Sequence, residues 1–240
     1  MKTVDPPLPL RGVTPFAFGG RRVCYEHPRD PGLCVKINRT DAGRTRRTKA
    51  GLLLPAAWRR EYDNNADELR QLARLFRRIG PDAARHLPRC YGMVETDLGP
   101  GLVTDLVRDA DGRVARNLLE LILEGHGPEA FRDAFEEFGR FLTSHAVLTR
   151  SLLDHNVSAA RREDGAWRLV LIDGFGDRGW LPLAEWVRPL GVRKVRRRLD
   201  EAWTRYEARW REGRVPTHLR NSSVCGPEGL AEVAALQDAA

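Results

Sequence analysis

The stretch that most limits what this chain can fold into runs from Leu152 to Gly176. Leu152-Leu153-Asp154-His155-Asn156-Val157 opens a β-prone run, and a second apolar run, Leu169-Val170-Leu171-Ile172, ends on Asp173-Gly174-Phe175-Gly176. Asp164-Gly165 between them is a strong hairpin signal, so the sequence predicts a β-ribbon of 157–160 against 167–172. Asn156 stands just before the ribbon and Asp173 just after it. Alone, an Asn at a loop end and an Asp before Gly are turn formers. Together, with a hairpin between them and a long helix ahead, they offer an amide oxygen and a carboxylate to a hard divalent cation.

The rest of the chain surrounds this pair with an ordered set of elements. Residues 12–37 read as short strands: Val13 to Phe18, the pair Gly19-Gly20, Arg22 to Tyr25, a Pro/Asp/Gly turn, then Leu33-Cys34-Val35-Lys36-Ile37. Residues 38–55 read as a basic loop. Ala66, Leu69, Leu72, Ala73 and Phe76 recur at helical spacing within 56–78. Strands return at 90–96 and 102–107. Phe131, Ala134, Phe135, Phe138 and Leu142 form the apolar stripe of a long helix. After the ribbon come a short helix over 181–187, a break at Gly191, and a stripe of Val192, Val195, Leu199, Trp203, Tyr206 and Trp210. The expectation is an α+β chain with a small β-rich lobe (13–108) and a larger helical lobe (109–212), preceded by an extension (1–12) and followed by a tail (213–240). A ligand cleft belongs between two such lobes.

Composition narrows the class. With 40 Lys and Arg against 33 Asp and Glu, the net charge of +7 favours polyanionic partners or simply solubility. Four cysteines form no C-x-x-C pair, so neither a zinc signature nor a disulfide framework is read. No apolar run approaches the roughly 18–20 residues that cross a bilayer. A cytoplasmic protein with no membrane partner is expected.

Several residues carry chemistry. Lys36 interrupts an apolar strand, where a lone cation is costly unless paired or turned to water. Glu61 on the following helix is its candidate partner, because a strand Lys held by a helix Glu positions the Lys on nucleotide phosphates in kinases. Gly19, just upstream, lets a backbone approach phosphates, although Ala17 and Arg22 stand where a glycine-rich loop would have its other glycines. Glu95 and Thr96 end a strand in the region expected to line an adenine pocket. Ser151 lies five residues before Asn156, where kinases carry the Asp that accepts the substrate proton. Serine is no general base at neutral pH without an activator, so Asp154 is the candidate substitute, with capping of the turn as its alternative role. The run Arg188, Arg193, Lys194, Arg196, Arg197, Arg198 reads as a solvated helix face, with nucleic acid or an acidic partner as the sharper alternative.

These residues in this order resemble the YrbL family of PhoP regulatory network proteins, a kinase-like bacterial group. The resemblance is carried by Cys24-Tyr25-Glu26-His27-Pro28, Leu33 to Ile37, Arg59-Arg60-Glu61, Tyr91 to Thr96 with Gly99 and Gly101, Asn156-Val157, Leu171 to Gly176, and Leu181-Pro182-Leu183. It implies a protein-kinase-like fold and says little about substrate. The family tends to lack the catalytic Asp, in keeping with Ser151. The expectation is an ATP–Mg²⁺ site with Lys36 on phosphates and Asn156 and Asp173 on the metal. It serves either an atypical phosphotransferase with an unknown phosphoacceptor or a regulatory pseudokinase. A basic protein binding nucleic acid or an acidic partner is the third reading.

Overall fold

The computed structural model describes residues 6–19, 21–39, 63–150, 152–177 and 183–212. Among them the chain is α+β: a five-stranded sheet, a two-stranded ribbon and helices. The described residues divide into two compact units, one of 6–39, 63–69 and 91–104, the other of 70–90 and 105–212.

In the first unit, β1 (Ala17–Phe18), β2 (Arg22–His27) and β3 (Asp30–Asn38) are antiparallel neighbours; β5 (Gly101–Asp105) and β4 (Cys90–Val94) complete the sheet in the order β1-β2-β3-β5-β4. The period of two sorts the side chains. Val23, Tyr25, Val35, Ile37 and Val103 join Leu8, Leu10 and Phe18 in one apolar cluster. Arg22, Cys24, Cys34 and Lys36 alternate with them and point to the other face, with Cys24 opposite Lys36. Residues 8–11, read from sequence as part of an extension, belong to this unit. Leu8 bridges Thr96 in parallel, and the Leu10 N–H donates to Asp97 Oδ1 at 2.7 Å.

Helix α1 (Asn64–Ile79) starts where Asp63 caps it, Oδ1 accepting from the Asn65 N–H at 2.9 Å. Asn38 Nδ2 donates to the same oxygen at 2.8 Å, which ties the end of β3 to the helix start. The buried stripe of α1 is Asn65, Glu68, Leu72 and Leu75, whereas Ala73 of the expected stripe is exposed. Positions 56–62 of the expected helix lie outside the described residues.

The second unit is built around α3 (Arg132–Ser144), α5 (Arg188–Glu212) and the ribbon β6 (Val157–Arg161) with β7 (Trp167–Leu171). Phe135, Phe138 and Leu142 of α3 meet Leu169 and Leu171 of β7 and Val195, Leu199, Ala202 and Tyr206 of α5 in one core. Helix α2 (Leu118–Leu123) is opened by a capping box: Asn117 accepts from the Glu120 N–H, and Glu120 from the Asn117 N–H, each at 3.0 Å. His86 lies in this core with Nδ1 2.8 Å from the Leu169 carbonyl and its ring against Phe138 and Phe141. Burial, outweighing the Leu169 hydrogen bond, holds its pKa below the ordinary histidine value.

Gly191 does not break the helix. After α4 (Leu183–Trp186), α5 runs unbroken from Arg188, and Gly191 is buried inside it. A Cβ on Gly191 would stand 2.6 Å from the Ala184 carbonyl oxygen, so the glycine is there for close approach of α4.

Two outcomes follow. Gly191→Ala should lower stability in urea unfolding by about 1–3 kcal/mol despite alanine's better helix propensity, because the obstacle is backbone. For His86, a folded pKa below the unfolded value of about 6.5 means a contribution present above that pH and lost as pH falls through the lowered value. The stability gap between the native chain and His86→Gln should therefore be wider at pH 7.5 than at pH 5.

Candidate functional site

Lys36 is 6% exposed on the even face of β3, and its Nζ donates to Glu68 Oε1 at 2.6 Å. Arg22 on β2 donates from Nη1 to the other oxygen, Oε2, at 2.5 Å. One carboxylate from α1 thus receives two buried cations from neighbouring strands. Asn65, one turn earlier on α1, donates from Nδ2 to the Lys36 carbonyl at 2.7 Å, so helix and strand are locked at backbone and side chain together. Burial is the largest influence on the Lys36 pKa and lowers it; Glu68, joined by Cys34 and Cys24, together outweighs burial and the opposing charge of Arg22, and the ammonium sits above its ordinary value. Burial pushes the Cys24 thiol up to about 12 and raises Cys34 as well, so both are unreactive at neutral pH.

The helix carboxylate on Lys36 is therefore Glu68; Glu61 lies outside the described residues. The signal for Glu68 was available: Asn65, Glu68, Leu72 and Leu75 keep a strict three-four spacing, which puts an acid on the buried side of the helix. Gly19 closes the β1–β2 turn, donating its N–H to the Arg22 carbonyl at 2.8 Å. That N–H is spent within the protein and is not offered to a phosphate. Glu95 and Thr96 are held by local contacts. They lie in the β4–β5 connection, where the Glu95 carbonyl accepts from the Leu8 N–H at 2.9 Å and the Thr96 hydroxyl donates to the Gly99 carbonyl at 2.6 Å. Thr96 is 6% exposed, and its hydroxyl also accepts from the Leu98 N–H at 3.1 Å.

In the second unit the ribbon brings Asn156 and Asp173 to the same end. The Ile172 N–H donates to the Asn156 carbonyl at 2.9 Å, one step beyond the Val157–Leu171 pair. Asn156 is buried and Asp173 exposed, with Asp173 Oδ1 accepting from the Gly174 N–H at 2.6 Å. The following turn is held by backbone: Arg150 N–H to Gly174 O at 2.7 Å and Gly176 N–H to Leu148 O at 3.0 Å. Gly174 and Gly176 have φ of +84° and +88°, a region that glycine alone enters freely. Phe175 between them is buried in the core and anchors the turn.

Asp154 has a different task from the one expected. It is 0% exposed and accepts from Arg209 Nη1 of α5 through Oδ2, while Oδ1 has no hydrogen-bond partner. Arg205, one turn earlier on α5, donates to the Leu152 carbonyl at 2.8 Å. Burial lowers the pKa of the Arg209 guanidinium from its ordinary value. A carboxylate so enclosed does not reach a substrate hydroxyl; it fixes the segment ahead of Asn156. Ser151 lies outside the described residues.

No cluster of three or more His, Cys, Asp or Glu able to hold a metal occurs among the described residues. Asn156 and Asp173 carry an amide oxygen and a carboxylate, the kinds of ligand an ion such as Mg²⁺ takes alongside water and phosphate.

Comparison with known proteins adds the lineage. Residues 8–207 match the family model described as PhoP regulatory network protein YrbL. The chain belongs to this family. It is 29% identical to the YrbL proteins of Escherichia coli K12 and of Shigella flexneri over 204 residues, covering 83% of this chain and 86% of each relative. The match spans both Lys36 with Glu68 and Asn156 with Asp173, so both sets of residues fall within the family's domain. No helix among the described residues is long and apolar enough to cross a membrane.

Removing the shared carboxylate should be severe. Glu68→Ala leaves Lys36 and Arg22 buried without it and should cost about 3–5 kcal/mol in chemical denaturation. Glu68→Gln should recover part of that loss by keeping an acceptor oxygen.

Proposed function

We propose that this family member is a kinase-like nucleotide-binding protein in which Lys36, held by Glu68, contacts the phosphates of ATP, and Asn156 and Asp173 hold the accompanying Mg²⁺. The observation that carries the reading is the Lys36–Glu68 pair at 2.6 Å, both side chains under 10% exposed. As a stabilising device a buried ion pair is no better than apolar packing of the same volume. As a way to fix a cation for a polyphosphate it has a clear use, and kinases employ a strand Lys and helix Glu for it. Bound Mg²⁺ would neutralise phosphate charge; Asn156 and Asp173 contribute the oxygen ligands, and the left-handed glycines keep Asp173 in place.

Within this reading a regulatory role is favoured over efficient phosphoryl transfer. Asp154, the candidate substitute base, is fully buried against Arg209, and serine is a poor base. The family is named for the PhoP regulatory network, and a nucleotide-responsive module is a natural member of such a network.

Calorimetric titration of the purified chain should show ATP binding that requires Mg²⁺. Asp173→Ala should weaken it by about tenfold or more, equivalent to about 1.4 kcal/mol, with the melting temperature of the ligand-free protein little changed. Absence of Mg²⁺-dependent binding in the native chain would overturn the nucleotide reading. Transfer of label from ATP at a rate that Asp154→Asn abolishes would overturn the regulatory one.

A further inference from the structure

The outer face of the first turns of α5 carries an amphiphilic patch that the nucleotide reading does not use. Trp186 is 68% exposed, Val187 42% and Leu190 45%, three large apolar side chains close in sequence at the α4–α5 junction. Leu190, Arg193 and Arg197 follow one another at i, i+3 and i+7 on the side of α5 opposite the buried Gly191, Val195 and Leu199. Arg196 is exposed beside them, and Arg188 is exposed at the start of the helix. Arg197 reaches Glu201 at 3.5 Å, but no ion pair within the described residues takes up Arg193 or Arg196. The basic run is thus more than a solvated helix face, because it is continuous with apolar side chains that water alone would not favour.

Beside Trp186 lies a depression of about 280 Å³ lined in part by Arg78, His145 and Arg188. Its guanidinium groups are set by the carbonyl end of α3: Arg78 donates to His145 O at 2.7 Å and Arg188 to Ser144 O at 3.0 Å. Two fixed cations at the mouth of a small depression, next to an exposed Trp, suit a phosphate at the boundary of water and an apolar layer.

We propose that this face docks peripherally on an anionic lipid bilayer. Trp186, Val187 and Leu190 enter the boundary between headgroups and acyl chains. Arg193, Arg196 and Arg197 lie over the headgroup charges, and a lipid phosphate sits between Arg78 and Arg188. Nucleic acid would match the arginines but leave the three apolar side chains unburied. The bilayer matches both, since interfacial helices combine Trp and Leu with Arg in this way. Attachment of this kind needs no spanning helix.

The test is co-flotation with large unilamellar vesicles. The native chain should float with vesicles of 70:30 phosphatidylcholine to phosphatidylserine (about 30% anionic lipid, enough for a strongly negative surface) and not with phosphatidylcholine alone. Trp186→Glu with Leu190→Glu should lower the partition coefficient by about tenfold or more, and Arg193→Glu with Arg196→Glu by at least as much, near fivefold per charge. All four residues are exposed, so thermal melts of these variants should match the native chain. Inorganic phosphate at millimolar concentration should leave flotation intact, because the apolar contacts are not displaced by it. Failure of the native chain to float with anionic vesicles overturns the proposal. So does equal flotation of the Trp186→Glu, Leu190→Glu variant, which would reduce the interaction to charge alone. Neither result touches the ATP titration.

Discussion

The carboxylate of Glu68 is the interaction on which the first unit depends. It accepts Lys36 from β3 and Arg22 from β2 on its two oxygens. The strands therefore present cations to a helix that would otherwise have no reason to lie against a polar sheet face. A sheet with one apolar face needs something to cover or solvate the other. Here α1 covers it with a matched set of polar groups, Asn65 on backbone and Glu68 on side chains. The desolvation cost of three charges is offset by short, charge-assisted contacts. That cost is also what makes the arrangement discriminating: a buried cation so held has one position, and a ligand that uses it must come to it.

The second unit solves a related problem differently. Asn156 and Asp173 are brought together by a ribbon register and by glycines in the left-handed region, with little contribution from ion pairing. The charged groups stand one layer back, where Arg205 and Arg209 of α5 hold the 152–154 segment. Asp154 shows how a residue of the right type at nearly the right place can be committed to architecture. Its full burial decides its role more firmly than its spacing from Asn156.

Much of this was legible in the residues. The ribbon and its turn were, because Asp-Gly between apolar runs has few other solutions, and so was the burdened Lys36, because a cation in an apolar strand demands a partner. The identity of that partner was legible in part: the three-four spacing of Asn65, Glu68, Leu72 and Leu75 marks Glu68 as lying on the buried side of its helix, and the structure shows it on Lys36. Gly191 misled: a helical glycine signals a break by propensity, but here the Ala184 carbonyl requires it. The contact of Leu8 with Glu95 and Thr96 was not legible, because Leu8 comes from a proline-rich stretch with no periodicity to announce it.

That stitch between Leu8–Arg11 and residues 95–97 has a consequence for how the chain folds as it is made. The Leu10 N–H and Asp97 carboxylate are 87 positions apart. At roughly 5–20 residues per second of synthesis, Leu8 and Leu10 leave the ribosome several seconds before the acceptors that fix them exist. Two apolar residues that finish the first unit's core must wait through the making of four strands and a helix. This early segment is fixed only once residues 95–97 exist, and β5, which follows them, completes the sheet. A nascent chain stalled before residue 97 holds an open core edge that a chaperone, or another nascent chain, can reach.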